Sequence, residues 1–352
     1  MMLTQNAFYQ TDLENVLNSH QKWNAIDGHS FLVIGASGMV GSFLIDVLMK
    51  RNTSENANIH IYAMGRSREH LVERFGEYMD SSLFDLVVGD VTQPLPENLD
   101  TDYILHAASN THPRAYATDP VGTIMTNLMG TQNVLEHVVK HPTTRVMFLS
   151  SVEVYGENRG DVEKFDESYS GYLDSNTLRA GYPESKRVSE ALCQAYIAKY
   201  DLDIVIPRLC RIFGPTMRLN DSKASSQFIL NAVHEQDIVL KSDGHQNYSY
   251  AYVADVVSAL LFLMTEGVSG EAYNVAVPAL DTTLKQLATT LAEISGKSVI
   301  MQLPDKVETA GFSKATKALL DASKLNALGW QAQYDLKTAL RHTVRILQAR
   351  ED

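Results

Sequence analysis

The sequence predicts an α/β protein in which a doubly wound parallel sheet carries a smaller C-terminal lobe. Three observations predict it. Strand-like and helix-like segments alternate over roughly the first 214 residues. The strand segments are β-branched and almost continuously apolar, as strands covered on both faces are. A glycine-rich turn joins the first strand to the first helix of the alternation.

Residues 1–29 are polar with a weak helical period and read as an N-terminal helical arm. "SFLVIG" is a β-rich run closed by glycine, and "SFLIDVLMKR" follows as a helix with one apolar face. "NIHIYAMG", "LFDLVVGDV", "TDYILHAAS", "TRVMFLSSVEVYG" and "LDIVIPRLCRIFG" read as strands two to six. Helices are expected at about 67–78, 119–140 and 182–200. This gives a dinucleotide-binding unit over 30–214. Over 215–352 the alternation loosens into amphipathic helices, "SSQFILNAVHEQ" and "TTLKQLATTLAEISG", and a last helix after "LGW". That part reads as mainly a substrate-binding lobe whose chain crosses back to the sheet.

Composition excludes several classes. The net charge of −12 argues against a nucleic-acid binder, which needs a basic face. Two cysteines make no disulfide framework, and no Cys/His cluster has metal spacing, so no metal is expected and a reducing cytoplasm fits. No stretch is long and apolar enough for a membrane span, and the N-terminus lacks a signal-peptide pattern.

"VIGASGMVGSFL" places Gly35, Gly38 and Gly41 directly after a strand and at the start of a helix, with Ser37, Met39 and Val40 between them. Glycines let backbone approach a pyrophosphate, and the helix N-terminus offers amides and a positive dipole end. The second strand ends in Gly65-Arg66 rather than in the acid that would hold a ribose hydroxyl. Arg66 stands where a 2′-phosphate could be met, which tilts the cofactor from NAD towards NADP. Asp90 and the Val91 backbone, after the third strand, could reach an adenine. Ala107 and Ala108, after the fourth, leave room for a cofactor backbone. In "AGYPESKRVSEAL", Tyr182 and Lys186 stand four apart on one helix face. An ammonium near a phenol lowers its pKa and makes it a usable base.

These motifs, in this order with "SSVEVYG", resemble the extended short-chain dehydrogenase/reductase family over about residues 30–345. The resemblance is strongest to its UDP-glucuronate decarboxylase and nucleotide-sugar 4,6-dehydratase branch. "RAGYPESKRVSEALCQAY", "FGPTM", "YVADVVSALLFLM" and "LDASKLNALGW" carry that resemblance. It implies a Rossmann fold, a bound NAD or NADP, a nucleotide-sugar substrate oxidised at C4, and a homodimer. Tyr182 would be the base, Lys186 its partner and Ser151 a hydrogen-bond donor to the same oxygen. A 4,6-dehydratase normally carries Asp-Glu where this chain has Val152-Glu153, so the missing acid disfavours water loss. A glutamate alone matches the decarboxylase pattern, and simple 4-epimerases usually lack it. Around the substrate the chain departs from the family. Arg211 replaces an asparagine, Tyr248 an arginine, and Thr216 the arginine of "GPRM". Arg179, Arg211 and Tyr248 are the substrate-binding candidates. Dehydratase, epimerase and reductase chemistry remain alternatives, as does a non-catalytic dinucleotide sensor on the same fold.

Overall fold

A computed structural model describes residues 2–20, 22–109, 118–302 and 316–351. The central sheet is built from β1 (Ser30–Ile34), β2 (His60–Gly65), β3 (Phe84–Val88), β4 (Tyr103–His106), β5 (Arg145–Phe148), β6 (Ser150–Ser151), β7 (Asp203–Leu209) and, much later in the chain, Ala272–Val275. Its order is β3-β2-β1-β4-β5-β7 followed by the Ala272–Val275 strand, and β6 also pairs with β7. Every pairing is parallel. The reversal of strand order lies between β1 and β4, where doubly wound sheets open a ligand crevice.

Alternation along β1 shows why its whole run is apolar. Phe31 and Val33 enter one buried cluster with Phe43, Val47 and Leu260. Leu32 and Ile34 enter the other with Val134, Leu135 and Cys193. The first layer holds α1 (Ala7–Ser19) and α2 (Met39–Glu55), while α3 (Arg68–Phe75) lies at the β2–β3 edge. The second holds α4 (Pro120–Lys140) and α5 (Gly181–Tyr200). The helix expected at 67–78 is shorter, closing as a 3-10 turn at Gly76–Tyr78.

Two expected strands end early. "TRVMFLSSVEVYG" stays extended only to Ser151, then winds into a 3-10 turn, Val152–Tyr155. The Ser151 hydroxyl accepts the Glu153 N–H at 3.3 Å, and Gly156 closes the turn at φ +72°. A Cβ at Gly156 would stand 2.3 Å from the Tyr172 carbonyl oxygen. "LDIVIPRLCRIFG" splits after Leu209. Its end, β8 (Arg211–Phe213), leaves the main sheet and pairs in parallel with Tyr250–Tyr252. Local letters favour extension in both cases, and tertiary pairing decides where it stops.

The N-terminal arm is packed in. Asn6 caps α1, and Tyr9, Asp12, Leu13 and Val16 are buried. Tyr9 and Arg74 bond to the buried Asp46, which also accepts the Tyr78 hydroxyl at 2.9 Å. Asp12 accepts from Tyr252, from Tyr334 at 2.7 Å and meets His342 Nδ1 at 2.7 Å. The arm reads as polar, yet it buries polar groups, and Asn6 and Asp12 among them are paired.

Candidate active site

The glycine loop is shaped by close approach. Gly35 sits at φ +86°, and a Cβ there would stand 2.9 Å from the backbone of Ala107 and Ala108. A Cβ on Gly41 would stand 2.8 Å from the Gly35 oxygen, so the start of α2 lies directly on the loop. Gly38 is the N-cap of α2 and supplies no side-chain cap. The first-turn amides, including those of Met39 and Val40, therefore keep their donors for an anionic group, which fits a dinucleotide pyrophosphate. Thr216 donates to the Met39 carbonyl at 2.9 Å, tying the C-terminal part of the chain to this loop.

The adenosine-side candidates lie together at the ends of β2 and β3. Arg66 is exposed, and its charge helps hold the Asp90 carboxyl below its usual range, after the hydrogen bond from the Thr92 amide. One Asp90 oxygen is occupied by the Thr92 amide and hydroxyl, both at 2.9 Å. The Val91 carbonyl accepts from Asn133 at 2.8 Å, and the Val91 side chain fills the space a Cβ on Gly130 would need.

Tyr182 is buried in the first turn of α5, where its phenol has hydrogen-bonding partners in Ser151 and Ser109. Burial pushes the phenol up to about 12 against the pull of those hydroxyls, and the charge of Glu153 adds to the rise. Lys186, one turn on, is also buried, and burial lowers its ammonium to about 8. It donates to the Leu149 carbonyl at 2.8 Å and lies 4.8 Å from the Phe148 ring centroid. The pair thus shares a helix face, but the expected lowering of the phenol by the ammonium is not what dominates: desolvation wins. A phenol held this way keeps its proton at neutral pH until charge arrives beside it.

Glu153, on the 3-10 turn, meets Arg179 Nη2 at 3.3 Å. Arg211 lies flat on Tyr248, its guanidinium carbon 3.5 Å from the ring centroid. Charges on Arg211, Glu153 and Arg179 all act on the Tyr248 phenol. The sequence candidates Ser151, Glu153, Tyr182, Arg179, Arg211 and Tyr248 are therefore brought into one neighbourhood.

Several residues escaped the sequence reading. Ser109 donates to Asn127 Oδ1 at 2.8 Å, Asn127 Nδ2 donates to Ser185 at 2.9 Å, and Ser185 donates to the Tyr182 carbonyl at 2.8 Å. This ring fixes α4 against α5 at the phenol. Glu190 takes the Ser150 hydroxyl and a bidentate contact from Arg208 at 3.0 and 2.7 Å. The available signal was polar letters, Asn127, Ser185 and Ser189, inside otherwise apolar helix faces. Among the described residues, no metal-binding cluster exists and no helix is long and apolar enough to cross a membrane.

The model of the NAD dependent epimerase/dehydratase family matches residues 31–276. The chain belongs to that family. It is 32% identical over 309 residues to UDP-glucuronic acid decarboxylase 3 of Arabidopsis thaliana, covering 88% of this chain and 86% of that one. It is 31% identical over 323 residues to UDP-glucuronic acid decarboxylase 1 of Xenopus tropicalis, covering 90% and 72%. The fold matches a UDP-glucuronic acid 4-epimerase from Bacillus cereus, solved with UDP-glucuronic acid and NAD (TM-score 0.78, 22% identity, 91% and 99% covered). It also matches a dTDP-glucose 4,6-dehydratase from Bacillus anthracis, solved with NAD (TM-score 0.75, 20% identity, 92% and 97% covered). The chain is thus a nucleotide-sugar-modifying enzyme of the family, with a nicotinamide dinucleotide as its cofactor.

Proposed function

We propose that the protein oxidises C4 of UDP-glucuronate and releases its C6 carboxylate as CO₂. The observation that carries this is Glu153 as the one acid of its turn, close enough to act on the Tyr182 phenol, beside a buried and apolar Val152. A nicotinamide dinucleotide, its pyrophosphate held by the glycine loop, would supply the acceptor for the C4 hydride. Tyr182 takes the C4 hydroxyl proton, and Ser151 holds the oxygen. The 4-keto sugar acid is a β-keto acid: its C5–C6 bond breaks, the electron pair enters the enolate, and a proton then adds at C5. Glu153 lies where it can serve that later stage. Water loss would need a proton donor at Val152, which has none.

The relatives named as UDP-glucuronic acid decarboxylases support this reading. The Arg66 side chain, in place of an acid, gives tolerance for NADP beside NAD. The exposed apolar residues Val121, Ile124, Met125, Leu178 and Val188 on and beside α4 and α5 support a homodimer. The two buried free cysteines suit the cytoplasm.

The test is product mass after incubation with UDP-glucuronate and dinucleotide. Loss of CO₂ is expected; loss of water or unchanged mass overturns the proposal. Glu153→Gln should still reduce cofactor on adding substrate and then stall, because an amide keeps the shape but accepts no proton. Wild-type product formation by this variant would make Glu153 structural.

A further inference from the structure

Arg211 presents an unusual combination. Its guanidinium is stacked on the Tyr248 ring, yet its Nη1 is buried and has no hydrogen-bond partner among the described residues. Stacking covers the flat face of a guanidinium and leaves its N–H edges directed outward in the ring plane. A buried donor without a partner costs free energy. The arrangement is consistent with an edge kept ready for an acceptor that arrives with the substrate.

Its place in the fold says which part of the substrate that would be. Ser151 pairs in register with Leu209, and Arg211 is two residues further along the same chain. Glu153 is two residues beyond Ser151 on the neighbouring segment. Arg211 in turn pairs in register with Tyr250, which brings Tyr248 alongside. The stack therefore stands beside the hydroxyl-handling residues Ser151 and Tyr182, at the sugar end of a substrate oxidised there. Charge gives a second indication. Arg179 and Arg211 against Glu153 leave one positive charge among these described residues, which matches a monoanion better than a diphosphate.

We infer that Arg211, held flat on Tyr248, is the seat of a carboxylate carried by the sugar, and that this seat selects sugar acids over neutral sugars. The inference rests on the nucleotide-sugar reading above and goes beyond it by naming the residue that reads the acid. A planar guanidinium can meet both carboxylate oxygens in one plane, which a lysine cannot.

The test is binding of UDP, UDP-glucose and UDP-glucuronate to the NADH-loaded protein by calorimetry, where no turnover interferes. The wild type should prefer UDP-glucuronate to UDP-glucose. Arg211→Gln should weaken UDP-glucuronate by about 10- to 100-fold, the worth of one charge-assisted interaction, and leave UDP and UDP-glucose nearly unchanged. Arg211→Lys keeps the charge without the planar stack and should show a smaller loss of the same selectivity. It serves also if the glutamine variant folds poorly, as judged by NADH binding. Equal weakening of all three ligands would place the guanidinium on the diphosphate and overturn the inference. So would unchanged binding of UDP-glucuronate in both variants, with the nucleotide-sugar reading left standing. If the wild type binds NADH but none of the three ligands, the UDP-sugar reading falls and takes the seat with it.

Discussion

At the scale of single residues, the proposed chemistry turns on how a buried phenol would lose its proton. Tyr182 is held up to about 12 by burial, and Lys186 is lowered to about 8 by the same cause. Burial thus disfavours both charged forms, and each would gain from the other once charge is present. Ser151 and Ser109 are the phenol's hydrogen-bonding partners, so Tyr182→Phe would remove only the proposed proton carrier from a site that stays assembled. It should bind NADH as the wild type does and lose roughly 10²–10⁴-fold in turnover with UDP-glucuronate. Turnover near the wild-type rate would remove Tyr182 from the chemistry. The Tyr182/Lys186 spacing was readable because one helix carries both residues. The partners on other elements were not. Nothing in "HAAS" announces that Ser109 meets Tyr182, and nothing in "RLCRIFG" announces the Tyr248 stack, because both contacts depend on pairings between distant segments.

At the scale of elements, the sequence showed periodicity better than it showed ends. β1, α2 and β2 follow from local pattern, glycine placement and capping. The 3-10 turn after Ser151 does not, since "VEVY" is a strand-forming run that is bent by a serine cap and Gly156. That bend takes Glu153 out of strand register and places it near Tyr182. The arm was the least legible element. Its Asp12 looks like a surface acid, but it is fully buried among two tyrosine hydroxyls and a histidine. Asp12→Ala would leave Tyr252 and Tyr334 hydroxyls buried without their acceptor. Each such loss costs about 1–3 kcal/mol, so the variant should unfold about 2–5 kcal/mol more easily in urea. Asp12→Asn, which keeps one acceptor oxygen, should recover part of that. A midpoint unchanged by Asp12→Ala would mean that the arm is not fastened through this carboxylate.

At the scale of the whole molecule, one helix connects the candidate site to the outer surface. α5 turns Tyr182, Ser185 and Lys186 inward and leaves Val188 49% exposed on its other side. On α4, Val121, Ile124, Met125 and Leu128 recur at helical spacing, and Val121 is 70% exposed. Leu178, just before α5, is 73% exposed and lines a groove with Ile124, Leu128 and Val188. Exposed apolar surface of this kind is costly in water, and it is the face that the proposed homodimer would bury. In a two-fold dimer each residue of the patch faces the same patch on the second copy, so a charge introduced once appears twice across the axis. Val121→Glu and Val188→Glu should therefore shift sedimentation from dimer towards monomer by repulsion and desolvation together. The monomer should also turn over more slowly, because α5 would lose the support that holds Tyr182 against Ser151 and Ser109. A wild type that sediments as a monomer at micromolar concentration would refute the interface. A variant that becomes monomeric with full activity would keep the interface and show that α4, through the Asn127 ring, holds the catalytic helix without help from a second copy.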